Sequence, residues 1–458
     1  MTIPGVTIPR IVTTVAVLST LTSCTLFLHD DDSTAILFFN VQNIFDDIEQ
    51  GSEYDEFRPS SGWSTDDYHG RLRSLARVIV AVEPVVDVIV LAEIENERVL
   101  SDLQHDFLID VPMEYRAIAA VDGSAIQVGL LTRYPILEVH SHRIADPRLD
   151  YPLRSILEVH LQTPAERLVV LANHWKSKLG GAEFTESLRI ESAILVNRRV
   201  AELAIRYPGV PVVVCGDFNE SPLEYERTGM TYATAIMPQD LLPETFDGES
   251  ALVIVRDREA LRGESLTAAH GSSVEESPVS GTPGIRFFNP WLDCIECAVP
   301  GSYRYDGAWE QIDGFYLTAD LFDGTGLALK TFRVVADQTT LTSANEPRTW
   351  SKGSGGVSDH LPILLILTEG LSTDRSAPSI LSPLAPSRDS PPEMRGSGGE
   401  SVTVPARQSK NSPQPGVALQ THRFPPDGSA STRESGPPDA RRSGQKALPE
   451  PAPAGDPA

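Results

Sequence analysis

Positive charge is what this chain most lacks. Its 458 residues carry 38 Lys and Arg against 63 Asp and Glu, a formal net charge of −25. A surface so poor in cations repels polyanions unless a local basic patch or a bound metal ion reverses the field. That weighs against tight, sequence-independent binding of nucleic acid. It leaves open a site in which a bound cation dominates the local electrostatics. Cysteine is scarce as well, with four residues. Cys294 and Cys297 form the only Cys-x-x-Cys, and a zinc site of that kind needs a second pair. Cys215 follows the apolar run Val212-Val213-Val214 and reads as a small buried hydrophobe. Long apolar runs are missing too. Near the N-terminus Ile11 to Leu21 is mostly apolar but too short to span a bilayer. No internal repeat is present.

Composition divides the chain into three parts. Residues 1–24 read as an export signal, with Arg10 as the side-chain cation ahead of the apolar run. Leu21-Thr22-Ser23-Cys24 resembles the lipobox of bacterial lipoproteins. That resemblance implies cleavage before Cys24, a lipid on its thiol, and an exported, membrane-anchored protein, periplasmic or at the cell surface. An ordinary cleaved signal peptide that contains a cysteine is the alternative. In an exported chain, Cys294 and Cys297 are expected to form a local disulfide. Residues 371–458 hold 16 of the 36 prolines and are nearly balanced in charge, with ten basic and nine acidic residues. Such a stretch buries too little apolar surface to offset its ordering entropy, so disorder is expected there. The acidity therefore belongs to residues 25–370, a length sufficient for one large core.

Within 25–370, apolar runs of strand length alternate with helical patterns. Strands are expected at Ile36 to Val41, Val85 to Ile94, Ile126 to Leu131, Ser155 to Leu161, Leu168 to Ala172, Val212 to Cys215, Ile312 to Leu317, Thr331 to Val335 and Leu361 to Leu367. Helices are expected at Ser64 to Glu83, capped by Ser64 or Thr65 and closed by Pro84, and at Glu183 to Ile205. Several strands follow one another without a helix, which suits mixed or antiparallel sheets better than a doubly wound parallel sheet. The stretch about 223–303, rich in Gly, Pro and Ser, reads as an insertion beside the site.

Polar residues cluster where the strands end. Asn40 closes the first strand. Glu93 lies in Val90-Leu91-Ala92-Glu93-Ile94, and His174 follows Leu171-Ala172-Asn173 and leads into Trp175-Lys176-Ser177-Lys178. Asp217 and Asn219 lie in Cys215-Gly216-Asp217-Phe218-Asn219. Asp313 lies in Gln311-Ile312-Asp313-Gly314-Phe315, and Asp359 and His360 in Ser358-Asp359-His360-Leu361-Pro362. Polar groups at the ends of core strands can converge on one sheet edge.

These six segments, in this order, resemble the endonuclease/exonuclease/phosphatase superfamily, over nearly the whole of Phe38 to Pro362. The segments Asn40 to Asp46 and His174 to Lys178 are similar to bacterial extracellular nuclease-like members. The resemblance implies a four-layer α/β/β/α sandwich of two packed mixed sheets with outer helices. It implies Mg²⁺ (or Mn²⁺) held by Glu93, with Asp359 and Asn40 in or beside the ligand set. Asp217 and Asn219 would orient the attacking water, His360 would be paired with Asp313, and His174 would donate to a phosphate oxygen or the leaving group. Lys176, Lys178 and Arg154 are candidates for gripping substrate. The chain departs from the family in one respect: Gly314 stands where relatives often have histidine after the aspartate.

The expected activity is metal-dependent phosphodiester hydrolysis, foremost as a monomeric nuclease outside the cytoplasm acting on DNA or RNA. A small-molecule phosphodiesterase or phosphatase is the nearest alternative. A sphingomyelinase-type enzyme would need an exposed aromatic hairpin, for which Phe287, Phe288 and Trp291 are the candidates. A surface binding protein on a retired enzyme fold would not need all six motifs to keep their polar residues. His69, His105, His140, His142, His160, His270 and His422 match no motif.

Overall fold

The computed structural model describes residues 32–370, except 122, 145–148, 150–151, 263–283 and 295–296. Cys24, the export signal and the 371–458 tail lie outside the described residues.

Sixteen strands are described: β1 (Ser33–Ile44), β2 (Val88–Ile94), β3 (Tyr115–Ile118), β4 (Gln127–Thr132), β5 (Ile136–His142), β6 (Ile156–Gln162), β7 (Arg167–His174), β8 (Val212–Asp217), β9 (Ile236–Pro238), β10 (Leu252–Val255), β11 (Arg286–Phe288), β12 (Tyr303–Tyr305), β13 (Ala308–Glu310), β14 (Asp313–Leu317), β15 (Leu327–Val334) and β16 (Ile363–Glu369). The main helices are α1 (Thr65–Val80), α2 (Glu97–Asp102) and α3 (Ala182–Arg206). One mixed sheet has the order β15-β16-β1-β2-β4-β3, and the other β5-β6-β7-β8-β14-β11-β10-β9. The hairpin β12-β13 stands apart from both.

The period-2 alternation of strand side chains sorts the layers. In β1, Ile36 and Phe38 face β6, β7, β8 and β14 residues such as Val159, Val170, Val213 and Phe315, forming the core between the sheets. Leu37 and Phe39 point the other way, onto Leu72, Leu75 and Ile79 of α1. On the far side of the second sheet, Val169, Leu171, Val212 and Val214 pack against Ala193, Val196, Val200 and Leu203 of α3. The result is helix, sheet, sheet, helix, the sandwich that the resemblance implies. Helix α1 begins at Ser64, whose Oγ accepts from the Asp67 amide at 3.2 Å while Asp67 Oδ2 accepts from the Ser64 amide at 3.0 Å. Such a reciprocal cap is worth about 1 kcal/mol.

The stretch read as an insertion contributes three short strands, β9, β10 and β11, to the edge of the larger sheet. Ala235, Ile236, Leu252, Ile254, Ile285 and Phe287 join the α3 core. Phe287, Phe288 and Trp291 are all buried, so they form no exposed aromatic hairpin and the sphingomyelinase-type reading loses its feature. Cys294 and Cys297 are joined in a disulfide, and Cys215 is fully buried, both as expected.

Candidate active site

Strand direction brings the polar residues together. β7 and β8 are parallel, with His174 opposite Asp217, and β14 is antiparallel to β8, with Asp313 opposite Asp217. His174, Asp217 and Asp313 thus form one row at the edge of the larger sheet. In the smaller sheet β1 runs parallel to β2, and β16 runs antiparallel to β1. The C-terminal ends of β1 and β2 and the segment entering β16 therefore meet at one end, carrying Asn40, Glu93 and His360.

Local backbone irregularity aims two of these groups. The pairing of β2 with β4 shifts register between Ala92 and Ile94, and Glu93 between them has φ 69°. A bulge of this kind takes a residue out of the strand alternation and re-aims it, and a left-handed glutamate is a strained backbone of the sort that clusters at functional sites. Asn219 has φ 51°, which asparagine tolerates better than most residues. Its amide donates to Asp217 Oδ1 at 2.9 Å, and its Nδ2 to the Trp175 carbonyl at 3.2 Å. Gly216 has no alternative: a Cβ there would lie 2.4 Å from the Asn173 carbonyl oxygen.

The sheets are tied at the site by Asn40, whose Nδ2 donates to Glu93 Oε1 at 3.1 Å and to Asp217 Oδ2 at 2.9 Å. Its Oδ1 accepts from the Gln42 amide at 3.1 Å, so in this state Asn40 bridges carboxylates. The Asn43 amide donates to Glu93 Oε2 at 3.0 Å. His174 Nε2 lies 3.7 Å from Glu93 Oε1 and 3.6 Å from Asp217 Oδ2, and its buried Nδ1 has no hydrogen-bond partner. His360 Nδ1 lies 2.8 Å from Asp313 Oδ2, and its Nε2 3.9 Å from Asp217 Oδ2. Ser358 Oγ donates to the Asn40 carbonyl at 2.7 Å and accepts from the His360 amide at 3.0 Å, locking the Ser-Asp-His segment to β1.

These contacts set unusual protonation. Burial raises Glu93, opposed by the His360 charge. Burial and the neighbouring Asp313 push Asp217 up to about 7. Burial, with Arg154 and His360 nearby, holds His174 well below its ordinary value, so it is neutral. Burial works against charge on His360 too, but the Asp313 carboxylate overrides it and lifts His360 to about 10. Glu93, Asp217, Asp313 and Asp359 thus surround one imidazolium, with the Arg154 guanidinium acting on Glu93 and that of Arg71 on Glu93 and Asp359. A cluster still richer in carboxylates than in cations suits a bound cation. Among the described residues, the ligand atoms of Glu93, His174 and Asp217 lie within 4.8 Å of one another, as do those of Asp217, Asp313 and His360. Two carboxylates that share little but an asparagine amide fit a hard divalent ion.

Other expected residues sit differently. Asp359 is half-buried and in neither of these groups, although its charge acts on Glu93, His360 and Arg71. Arg154 donates to the carbonyls of His174 and Trp175, from Nε at 2.9 Å and Nη2 at 2.5 Å, so it braces the end of β7. Lys178 Nζ is 2.8 Å from Glu224 Oε1 and 3.8 Å from Glu310 Oε2, an ion-paired position. Lys176 is half-buried, and its ammonium reaches Ser177 Oγ at 3.4 Å. The Cβ position of Gly314 looks toward Asn289, Tyr316 and Phe218, so the missing histidine leaves the carboxylate cluster intact. Tyr303 escaped the sequence reading. Its ring lies 4.5 Å from that of His360, and burial together with Asp359 raises its hydroxyl to about 12. A tyrosine with no fixed spacing to a motif offers no signal in one sequence.

Several solved structures are similar to this chain at low identity. TDP2 from C. elegans is 13% identical over 73% of this chain and 75% of its own, with a TM-score of 0.40. An endonuclease/exonuclease/phosphatase family protein from Bacteroides thetaiotaomicron is 14% identical over 74% of this chain and 96% of its own, with a TM-score of 0.42. ANGEL2, described as a 2′,3′-cyclic phosphatase, is 12% identical over 73% of this chain and 95% of its own, with a TM-score of 0.45. No curated protein matches the chain. Residues 35–239, which carry Asn40, Glu93, His174 and Asp217, match the model of the Endonuclease/Exonuclease/phosphatase family.

Proposed function

We propose that the protein hydrolyses phosphodiesters with the help of a divalent cation held at Glu93 and Asp217, and that its substrates derive from nucleic acid. The observation that carries this reading is the buried excess of carboxylate around Glu93, His174 and Asp217 beside an imidazolium at His360. A bound cation supplies neutralisation of the phosphate and of the leaving oxygen. The chain's own groups supply the rest. Asp217, whose Oδ2 accepts from Asn40 and whose Oδ1 accepts from the Asn219 amide, is placed to orient the attacking water and take its proton. His360, held by Asp313, points its Nε2 proton at the site and stabilises a non-bridging phosphate oxygen. His174, neutral, presents Nε2 to the gap between Glu93 and Asp217 and can donate from that tautomer. Each positioned proton donor or acceptor contributes roughly 10²–10⁴-fold in rate.

The test is hydrolysis of linear DNA and of bis-p-nitrophenyl phosphate by purified protein with Mg²⁺ or Mn²⁺. Both activities should stop with chelator and with Glu93→Ala. Cleavage of the small ester alone would move the reading to a small-molecule phosphodiesterase. A folded protein that hydrolyses no ester would be a binding protein. Export and anchoring through Cys24 belong to the same proposal, supported by Leu21-Thr22-Ser23-Cys24 after an apolar run. Cys24→Ala should then move the protein from the membrane to the soluble fraction, and a variant that stays with the membrane would refute the anchor.

A further inference from the structure

Arg71 belongs to none of the six segments, yet it is buried beside two of them. Helix α1 turns Tyr68, Leu72, Leu75 and Ile79 inward, and Arg71 stands among them, 2% exposed. A guanidinium on an apolar helix face is costly to desolvate unless partners compensate. Here the partners are backbone carbonyls. Nη2 donates to the Val41 carbonyl at 2.5 Å and the Gln42 carbonyl at 2.8 Å, and Nη1 to the Val357 carbonyl at 2.7 Å. The Trp350 ring stacks on the guanidinium, its centroid 4.5 Å from Cζ. Trp350 is itself held to Gln42: its amide donates to Oε1 at 2.9 Å, and its carbonyl accepts from Nε2 at 3.3 Å.

Those three carbonyls belong to two segments that meet at the site. The pairing of β1 with β2 shifts register between Asn40 and Ile44, and Gln42 and Asn43 have φ 53° and 58°. Residues 41–43 fall in that break, and buried carbonyls there need a donor from outside the ladder. The break aims the Asn43 amide at Glu93 Oε2 and sets the Asn40 side chain between Glu93 and Asp217. Val357 leads directly into Ser358-Asp359-His360. One planar fork therefore spans the strand end that holds Glu93 and the segment that presents His360. Ser358 Oγ, donating to the Asn40 carbonyl, ties the same two segments a second time.

We propose that Arg71 is a positioning residue for the reaction. Its guanidinium sets the 40–43 segment against the 357–360 segment, so that carboxylates and imidazolium close on one phosphate. Lysine offers a point charge in place of the fork and cannot hold three carbonyls in one plane.

The inference rests on the phosphoesterase reading above, and the experiment separates the two. Hydrolysis of bis-p-nitrophenyl phosphate with Mg²⁺ or Mn²⁺ is measured per folded protein, well below each variant's melting temperature. In Arg71→Lys, kcat should fall by about tenfold or more while KM stays within about twofold, as when groups are misplaced for the transition state alone. Glu158→Gln, at the β5-β6 edge, controls for lost stability: it should melt lower and keep kcat. A merely structural arginine would behave like that control. Ser358→Ala cuts the other tie, so its kcat should fall with KM unmoved, whether or not Arg71→Lys folds. A kcat within about twofold of wild type in either folded variant, or a loss carried by KM, overturns the positioning role and leaves the phosphoesterase reading standing. Folded, cation-loaded wild-type protein that hydrolyses no ester overturns both.

Discussion

At the β5-β6 edge of the larger sheet, Nε2 of His142 and Nε2 of His160 each lie 2.8 Å from a Glu158 oxygen, and Arg199 Nη2 lies 3.0 Å from the same carboxylate. At the other buried cluster, Glu93 and Asp217 face a neutral His174 whose Nδ1 has no partner. Both clusters mix histidine with carboxylate inside the protein, yet their charge balance is opposite. Burial penalises Glu158, but its three partners outweigh that and hold it below the ordinary carboxylate range. Burial penalises Glu93 and Asp217, and what lies around them leaves both raised. A network whose charges are matched from within serves the fold. A network that keeps an excess of one sign needs something from outside. The edge cluster even brings ligand atoms of Glu138, His140 and His160 within 4.8 Å of one another. There, however, Arg167 Nη1 lies 2.9 Å from Glu138 Oε1 and 3.2 Å from His160 Nδ1, so a guanidinium already fills the place of a cation.

The comparison predicts opposite behaviour for two carboxyl-to-amide substitutions. Asp217→Asn should lower kcat by about 10²–10⁴-fold, as loss of a positioned base does. In chelator it should not destabilise the fold. A buried aspartate raised to about 7 costs stability as pH climbs from its unfolded value of 3.8 toward 7. The variant should therefore gain on wild type over that window. A clear fall in melting temperature at pH 7 would mean that the cluster is as balanced as its counterpart. Glu158→Gln should do the reverse, keeping activity and losing about 3 kcal/mol at pH 7, the usual scale for breaking a buried pair. Because the folded pKa of Glu158 is depressed, its contribution is present above the unfolded carboxylate value of 4.5 and lost as pH falls through the folded one. Denaturant melts from pH 7 to pH 3 should show the gap between the two proteins begin to narrow only near and below pH 4.5 and remain partly open at pH 3.

A third measurement sharpens the reading of the proposed catalytic cluster. With His360 lifted to about 10 by Asp313, kcat/KM should hold up to that pH and fall above it as the imidazolium is lost. Asp313→Asn removes the carboxylate that lifts it, so the alkaline limb should move to lower pH. A limb that does not move would mean that the His360 proton has no part in the rate.

Much of this was legible beforehand, for physical reasons that also explain the rest. β1, β2, β6, β7, β8 and β16 are buried on both faces, so they read as continuous apolar runs, and their polar terminators stand out as motifs. β5, the edge strand Ile136–His142, alternates partly buried and exposed residues and carries three charged or imidazole side chains, so it is missing from the strands that the sequence predicts. β9, β10 and β11 have three or four residues each, too few for a period to register, so these strands do not stand out in the sequence. Nothing in a single sequence shows that Glu224 and Glu310 reach Lys178, or that Arg154 donates to two backbone carbonyls.

The smallest effect tests the same comparison from the side that looks most like a site. His140-x-His142 and Glu158-x-His160 form a denser array of ligand-type residues than any catalytic motif here, and the His140 side chain is 41% exposed, 3.3 Å from Glu138 Oε2. Arg167 and Tyr207 also bond to Glu138, so that carboxylate keeps partners without the histidine. An exposed pair of this kind is worth under about 1 kcal/mol. His140→Ala should thus shift stability by less than that and leave kcat/KM and its cation dependence within about twofold of wild type. A larger loss of activity, restored by added transition metal, would show that the edge cluster binds an ion despite its arginine, and that charge balance does not separate structural from reactive clusters in this fold.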